Sequence, residues 1–201
     1  MNLKRIADDV LDVYRKNWPM LILVAVMYNV LSIVSLLVLL GPLSGGMAKL
    51  VLNALERDDR TVEVGDLFDG VDSLNRFGCL FALGLITALA TTVGHLLLFL
   101  PGLYLSAIWL FVFFLVIDKN SGVSGSLALS KTIVERKGLG MNLLIALIGT
   151  GLIYGALSVP YAGVLVACLL TPAVWLIEGS AYLQQVREDD GTLADLFGEG
   201  A

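Results

Sequence analysis

Long stretches of this chain carry no formal charge. From Lys16 to Lys49 lie 32 uncharged residues, from Arg76 to Asp118 another 41 that include the lone His95, and from Lys137 to Glu178 a further 40. A helix needs roughly 20 apolar residues to cross a bilayer. The second and third runs are each two crossings long, and the first holds one crossing and the start of another. Each double run contains a turn signal, Pro101-Gly102 in one and Val159-Pro160 in the other, while Gly41-Pro42 follows the apolar stretch 20–40. Proline disrupts a helix interior but is well tolerated just after a turn. The prolines at 42, 101 and 160 stand 59 residues apart both times. That spacing suggests three successive helical hairpins in one orientation.

The pattern predicts an all-α polytopic membrane bundle, a single integral-membrane domain over 1–201. Its six transmembrane helices fall at 19–40, 43–57, 77–100, 103–117, 140–158 and 161–184, paired as three hairpins. The second and fourth are short, because about fifteen residues at 1.5 Å each cover only about 22 Å. They are half-spans, or they thin the bilayer locally.

Amphipathic segments lie between the spans. Leu3, Ile6, Val10, Val13 and Tyr14 recur near helical spacing within a mixed-charge N-terminus, which predicts an amphipathic helix over 1–18 on the cytoplasmic surface. Asn17-Trp18-Pro19 reads as the cap, interfacial aromatic and first residue of the following span. The apolar run behind it is too long for a signal-peptide core, so no cleavable leader is expected. In 62–77, Val64, Leu67, Phe68, Val71, Leu74 and Phe77 form an apolar stripe, with Asp66, Asp69 and Asp72 opposite. The stripe reads as a plug into the bundle, or as a partner-docking motif centred on Asp66, Leu67 and Phe68. The acidic tail 185–201 ends in Thr192–Phe197, an echo of the segment Thr61–Phe68.

Composition excludes the other classes. Hydrophobic residues make up 57% of the 201 and charged ones 15%, with a mean hydropathy of +0.85; a soluble domain carries about 25% charged residues. A soluble monomer and a disordered chain are both ruled out. The net charge is −5 with bases and acids interspersed, so no nucleic-acid footprint appears. Of 13 Lys and Arg, 12 fall in 1–18, 56–76, 118–139 and 185–201, and none at the three proline turns. By the positive-inside rule those segments and both termini are cytoplasmic.

Candidate chemistry is sparse. The sequence has no HExxH, GxSxG, Walker loop or Cys-x-x-Cys, so neither an enzyme nor a cofactor is expected. Cys79 and Cys168 fall at different depths and read as small packing residues rather than a disulfide. Asp66, Asp69 and Asp72 read as a solvated helix face rather than a metal site. Ionisable groups inside a membrane are costly and point to function by default. Counted from their prolines, Lys49 and His95 fall at nearly equal depth, about 10 Å below the outer turns. With Asn29 they are the candidates for an intramembrane polar pocket; otherwise Lys49 reaches the interface and His95 bonds a carbonyl. Glu178, eighteen residues past Pro160, reads as interfacial. The pairs Gly84/Ala88 and Gly151/Gly155 mark close helix contacts, and Thr171-Pro172 marks a kink.

Gly41-Pro42-Leu43, Gly45-Gly46 and Asp66-Leu67-Phe68-Asp69-Gly70 resemble a group of uncharacterised bacterial multi-pass membrane proteins. That group is similar to the membrane domain attached to some glycerophosphodiester phosphodiesterases. Pro101-Gly102, Trp109, Asp118 and the stretch Ser126–Ser130 extend the resemblance, which covers about 41–131, with Val71 standing where an aromatic is expected. The resemblance implies a six-helix module of the bacterial inner (plasma) membrane and no phosphodiesterase activity. Two functions follow. One is a non-enzymatic module that scaffolds, anchors or regulates a protein partner on the cytoplasmic face. The alternative is a small transporter or lipid-handling protein with a cavity between the hairpins. A dry core favours the first, and buried polar residues lining a path favour the second.

Overall fold

The computed structural model describes residues 1–35, 38–57, 59, 61–71, 73–188, 193 and 196, the side chains of Asp69 and Val71 excepted. Every regular element among them is a helix: α1 Leu3–Val34, α2 Leu40–Glu56, a 3₁₀ segment Val64–Val71, α3 Leu74–Leu97, α4 Phe99–Ile108, α5 Val112–Lys119, α6 Val123–Lys137, α7 Leu139–Leu157 and α8 Gly163–Tyr182, which ends in a π-helical turn Leu183–Arg187. Five stretches are long and apolar enough to cross a membrane: Leu3–Val34, Leu74–Leu97, Phe99–Lys119, Leu139–Leu157 and Gly163–Arg187. They make the chain a multi-pass, all-helical membrane protein. In lipid the backbone must bond to itself, and helices are the local way to do so.

The N-terminus departs from expectation. The amphipathic segment and the first span form one helix, capped by the Asn2 side chain and bent at Asn17 (φ −122°, ψ 19°). Pro19 explains the bend, since its ring clashes with the carbonyl one turn earlier and it offers no N–H. Asn17 bridges the bend: its amide donates to Val13 O at 3.1 Å, and its Oδ1 accepts from Val62 N at 3.2 Å. The mixed-charge segment packs against α8 instead of lying apart on the surface. Ile6 and Val13 are buried, Tyr14 OH donates to Leu169 O at 2.6 Å, Ser180 Oγ to Asp9 at 2.9 Å, and Arg5 pairs with Glu188 at 2.6 Å. The tail echo at Thr192–Phe197 lies largely outside the described residues, with only Leu193 and Leu196 described.

Helix α2 is the buried hub. Thirteen of its 17 residues are buried, so its shortness reflects a helix enclosed by protein on most sides. It packs on α3, α5, α8 and the 3₁₀ segment. Close approach requires its glycines. A Cβ at Gly41 would strike the Leu80 carbonyl, one at Gly46 the Leu67 carbonyl, and one at Gly84 of α3 the Gly41 backbone. Gly84 thus makes the tight contact its sequence suggested. Gly151 and Gly155 do not, because nothing stands within 4 Å of either; α7 turns that side outward.

The connector 62–77 corrects the expected stripe. Its core is a 3₁₀ helix with a period of three, so Val64, Leu67 and Gly70 share a face rather than the 3.6-period set. Leu67 is fully buried, while Phe68 is 40% exposed and Leu74 86% exposed. Leu67 is the fully buried plug, with Val64 packed beside it on the same face and Gly70 fitted against the Pro42 carbonyl. Asp66 accepts from Asn53 at 2.9 Å and lies 3.9 Å from Arg57. Of the expected docking set, only Phe68 remains on the surface. The Asp69 side chain and Asp72 lie outside the described residues.

Two outcomes follow from this packing. Gly84→Val should destabilise the detergent-solubilised protein by about 1–3 kcal/mol through overpacking, and Gly78→Ala, which meets open space, should leave its Tm unchanged. Leu67→Ala should cost about 2–5 kcal/mol, whereas Phe68→Ala should cost little; equal losses would contradict the 3₁₀ face. For topology, single cysteines replace the exposed residues Asp59, Pro101, Ser124 and Pro160 in a background without Cys79 and Cys168. An impermeant thiol reagent outside intact cells is expected to label 101 and 160 and to spare 59 and 124.

Candidate functional site

The α3–α4 turn places the one histidine. Helix α3 ends at Leu98, whose extended backbone (φ −157°, ψ 134°) breaks the helix before Phe99 opens α4. Gly94 and Gly102 let the two helices touch, since a Cβ at Gly102 would run into the His95 ring and backbone. His95 Nδ1 lies 2.8 Å from Thr91 O. A carbonyl can only accept, so Nδ1 carries a proton. The ring's Nε2 is buried without a partner. Phe99 and Tyr154 flank the ring at centroid distances of 5.6 and 5.9 Å.

Across from it, α7 makes room for a carboxylate. Ala146 and Gly149 present a smooth surface, and a Cβ at Gly149 would stand 3.1 Å from Val174 and 3.9 Å from Glu178 Oε1. Glu178 projects into the same space as His95. Together with Thr91, Thr92, Ser106, Thr150 and Tyr154 they line a cleft of about 310 Å³ between the α3–α4 pair and the α7–α8 pair. Such a volume is at the lower end for small-molecule sites, about 300–1,000 Å³. Thr91 donates back to Thr87 O at 2.6 Å. The hydroxyls of Ser106 and Thr150 make no hydrogen bond among the described residues, and no Lys or Arg pairs with Glu178 there. Along α7, the step from Gly149 beside Glu178 to Tyr154 beside His95 is about 7–8 Å of helical rise.

Glu178 stands nine residues before the end of the apolar stretch Gly163–Arg187, about 14 Å of helix; the expected span 161–184 stops three residues sooner and sets Glu178 correspondingly nearer its end. The hydroxyls of Thr92, Ser106 and Thr150 were missed, because a threonine or serine in an apolar run gives no signal until a neighbouring helix faces it.

The pocket expected from Lys49, His95 and Asn29 does not form. Gly41 and Gly45 meet α3 at Gly84 and Leu80 in antiparallel register. Lys49 therefore lies about 28 Å from His95 by helical rise. Equal counts from two prolines imply equal depth only if the prolines are level, and Pro42 sits against the first half of α3. Lys49 instead lines a smaller cleft of about 230 Å³ with Asn53, Glu56, Asp118 and Arg187. There Arg187 pairs with Glu56 at 2.6 Å and Asp118 at 2.5 Å, and Tyr182 OH donates to Asp118 at 2.6 Å. Asn29 donates to Ala25 O one turn back at 2.8 Å and joins neither cleft. No protein-family model, curated protein or solved structure matches the chain.

Proposed function

We propose that the protein is a small transporter or lipid-handling protein that works through the cleft between α3–α4 and α7–α8. One observation carries this reading: Glu178, a carboxylate within a membrane span, faces a cleft and has no cationic partner among the described residues. An uncompensated ionisable group at such depth is expensive, and it marks a substrate or ion path more often than a structural contact. Packing alone would have placed an apolar residue there. The scaffold reading keeps one feature in its favour, the exposed Phe68 on the connector, but Asp66 and Leu67 are engaged internally. The same proposal sets the chain in the inner membrane of a bacterium, with six membrane helices in three pairs, both termini cytoplasmic and no catalytic step. The resemblance of 41–131 to the uncharacterised bacterial group supports that setting.

Filling the cleft tests the proposal. Gly149→Leu projects its side chain toward Val174 and Glu178. Native mass spectrometry of the wild-type protein, released gently from membranes, is expected to show a bound lipid or small molecule. The variant should lose it, with some fall in Tm because a Cβ at 149 already stands 3.1 Å from Val174, and Glu178→Gln, nearly unchanged in volume, should lose it as well. A wild-type protein that carries no adduct, or a variant that retains it, would leave the cleft without a role.

A further inference from the structure

We infer that the protein binds a phosphate group beside the first turn of α3, in a pocket separate from the cleft and independent of its role. Helix α3 opens the apolar stretch Leu74–Leu97, so this turn lies at one end of a membrane crossing, the depth of lipid head groups. There Asn75, Arg76 and Cys79 of α3 face the link Asn120–Gly122, which joins α5 to α6, across a cavity of about 360 Å³. Two contacts hold the link in place. Cys79 Sγ donates to Ser121 O at 3.9 Å, and the Ser121 hydroxyl donates to Leu115 O at 3.0 Å. Asn120 takes the left-handed conformation (φ 53°, ψ 31°) as the chain leaves α5, a conformation asparagine adopts more readily than most residues.

This pocket gathers donors that have no partner. Among the described residues the Arg76 guanidinium makes no hydrogen bond or ion pair, and neither do the side-chain amides of Asn75 and Asn120. The backbone amides of Asn120, Ser121 and Gly122 are unbonded there too. No described Asp or Glu lines the pocket; Asp118, two residues before Asn120, is engaged by Arg187 and Tyr182 instead. One cation ringed by free N–H groups complements an oxyanion. The arginine fork takes two phosphate oxygens at once, and the amides serve the others. A carboxylate has only two oxygens, so pairing with Arg76 would leave the amides unused. Above the pocket, Ala82, Ile86 and Leu89 continue the face of α3 that carries Asn75 and Cys79, with Ile86 and Leu89 40% and 58% exposed. A phospholipid seated by its phosphate would find a track for an acyl chain there, whereas a soluble phosphate ester needs only the pocket.

The test uses the full chain in dodecyl maltoside micelles, which contain no phosphate. Cys168→Ser leaves Cys79 as the one thiol. Because Cys79 lines the pocket, its rate of alkylation by a maleimide reports occupancy of this site, and Tm reports binding. Dioleoylphosphatidylglycerol supplies a lipid-borne phosphate and glycerol 3-phosphate a soluble one. Dioleoylglycerol lacks the phosphate, and oleate carries a carboxylate in its place. A phosphate-bearing probe is expected to raise Tm and slow alkylation with the same saturable midpoint, and the two controls are not; the probe that acts identifies bilayer or water as the source. Arg76→Gln should raise that midpoint about tenfold or more, with Arg76→Lys, which keeps the charge and loses the fork, in between. Should Arg76→Gln fail to fold, Asn120→Gly serves independently, since glycine suits the positive φ while one donor is lost; its midpoint should rise as well. No saturable response to either phosphate probe, an equal response to oleate, a rise in Tm without protection of Cys79, or an unchanged midpoint in the variants would overturn the assignment.

Discussion

The architecture depends on backbone meeting backbone around α2. Lipid gives apolar helices little reason to prefer one another over acyl chains, so association falls to close packing and to the few polar contacts available. Gly41, Gly46, Gly70 and Gly84 supply that closeness, each occupying a place where a methyl group would collide with a neighbouring main chain. The 3₁₀ segment is a consequence. With Gly70 against the Pro42 carbonyl and Leu67 against Gly46, the connector follows α2 closely and turns one residue in three, Leu67, into the bundle. A 3.6-residue helix would have turned Phe68 inward beside it.

Charge in this molecule is sorted by whether it has a partner. Arg187 joins the ends of three elements, bonding Glu56 of α2 and Asp118 of α5 while Tyr182 of α8 adds a hydroxyl to Asp118. Arg5 and Glu188 tie the start of α1 to the end of α8 in the same way, both side chains about half exposed. Exposed pairs of that kind are worth little individually. Their value is positional: they fix which helix ends lie together, and α8 cannot slide without breaking several at once. Near neutral pH the exposed Asp59 carboxylate is held ionised, its pKa lowered by hydrogen bonds from the Thr61 hydroxyl and amide. It anchors the turn that leads into the connector.

Helix existence was written plainly in the chain. Uncharged runs and proline turns located the apolar helices, because a missing charge over 40 residues has few physical explanations. Depth was less legible. It was counted from prolines, which set where a helix can begin but not how high it sits. Pro42 lies against α3 near Leu80, and that offset separated Lys49 from His95. The connector failed on periodicity, since nothing in Val64–Val71 announces a 3₁₀ turn rather than an α-turn. The kink at Asn17 was half legible: Pro19 marked a boundary, but it read as the start of a new helix instead of a bend within one.

The candidate site was the least legible part, for a reason that applies to membrane helices generally. A polar residue in an apolar run acquires meaning from the helix it faces, and facing is decided by small residues elsewhere. His95 was conspicuous as the lone histidine, yet its role depends on Gly94 and Gly102, which bring α4 under it. Glu178 depends on Gly149 in the same way. Gly149 removes the side chain that would otherwise cover the carboxylate, so the cleft exists because α7 is smooth at that point. Small residues therefore do opposite things in one fold. Around α2 they bring helices together and close the core, and at Gly149 one of them keeps the space before Glu178 open. An ionisable side chain at that opening, with no cationic partner among the described residues, separates a site from a packing contact.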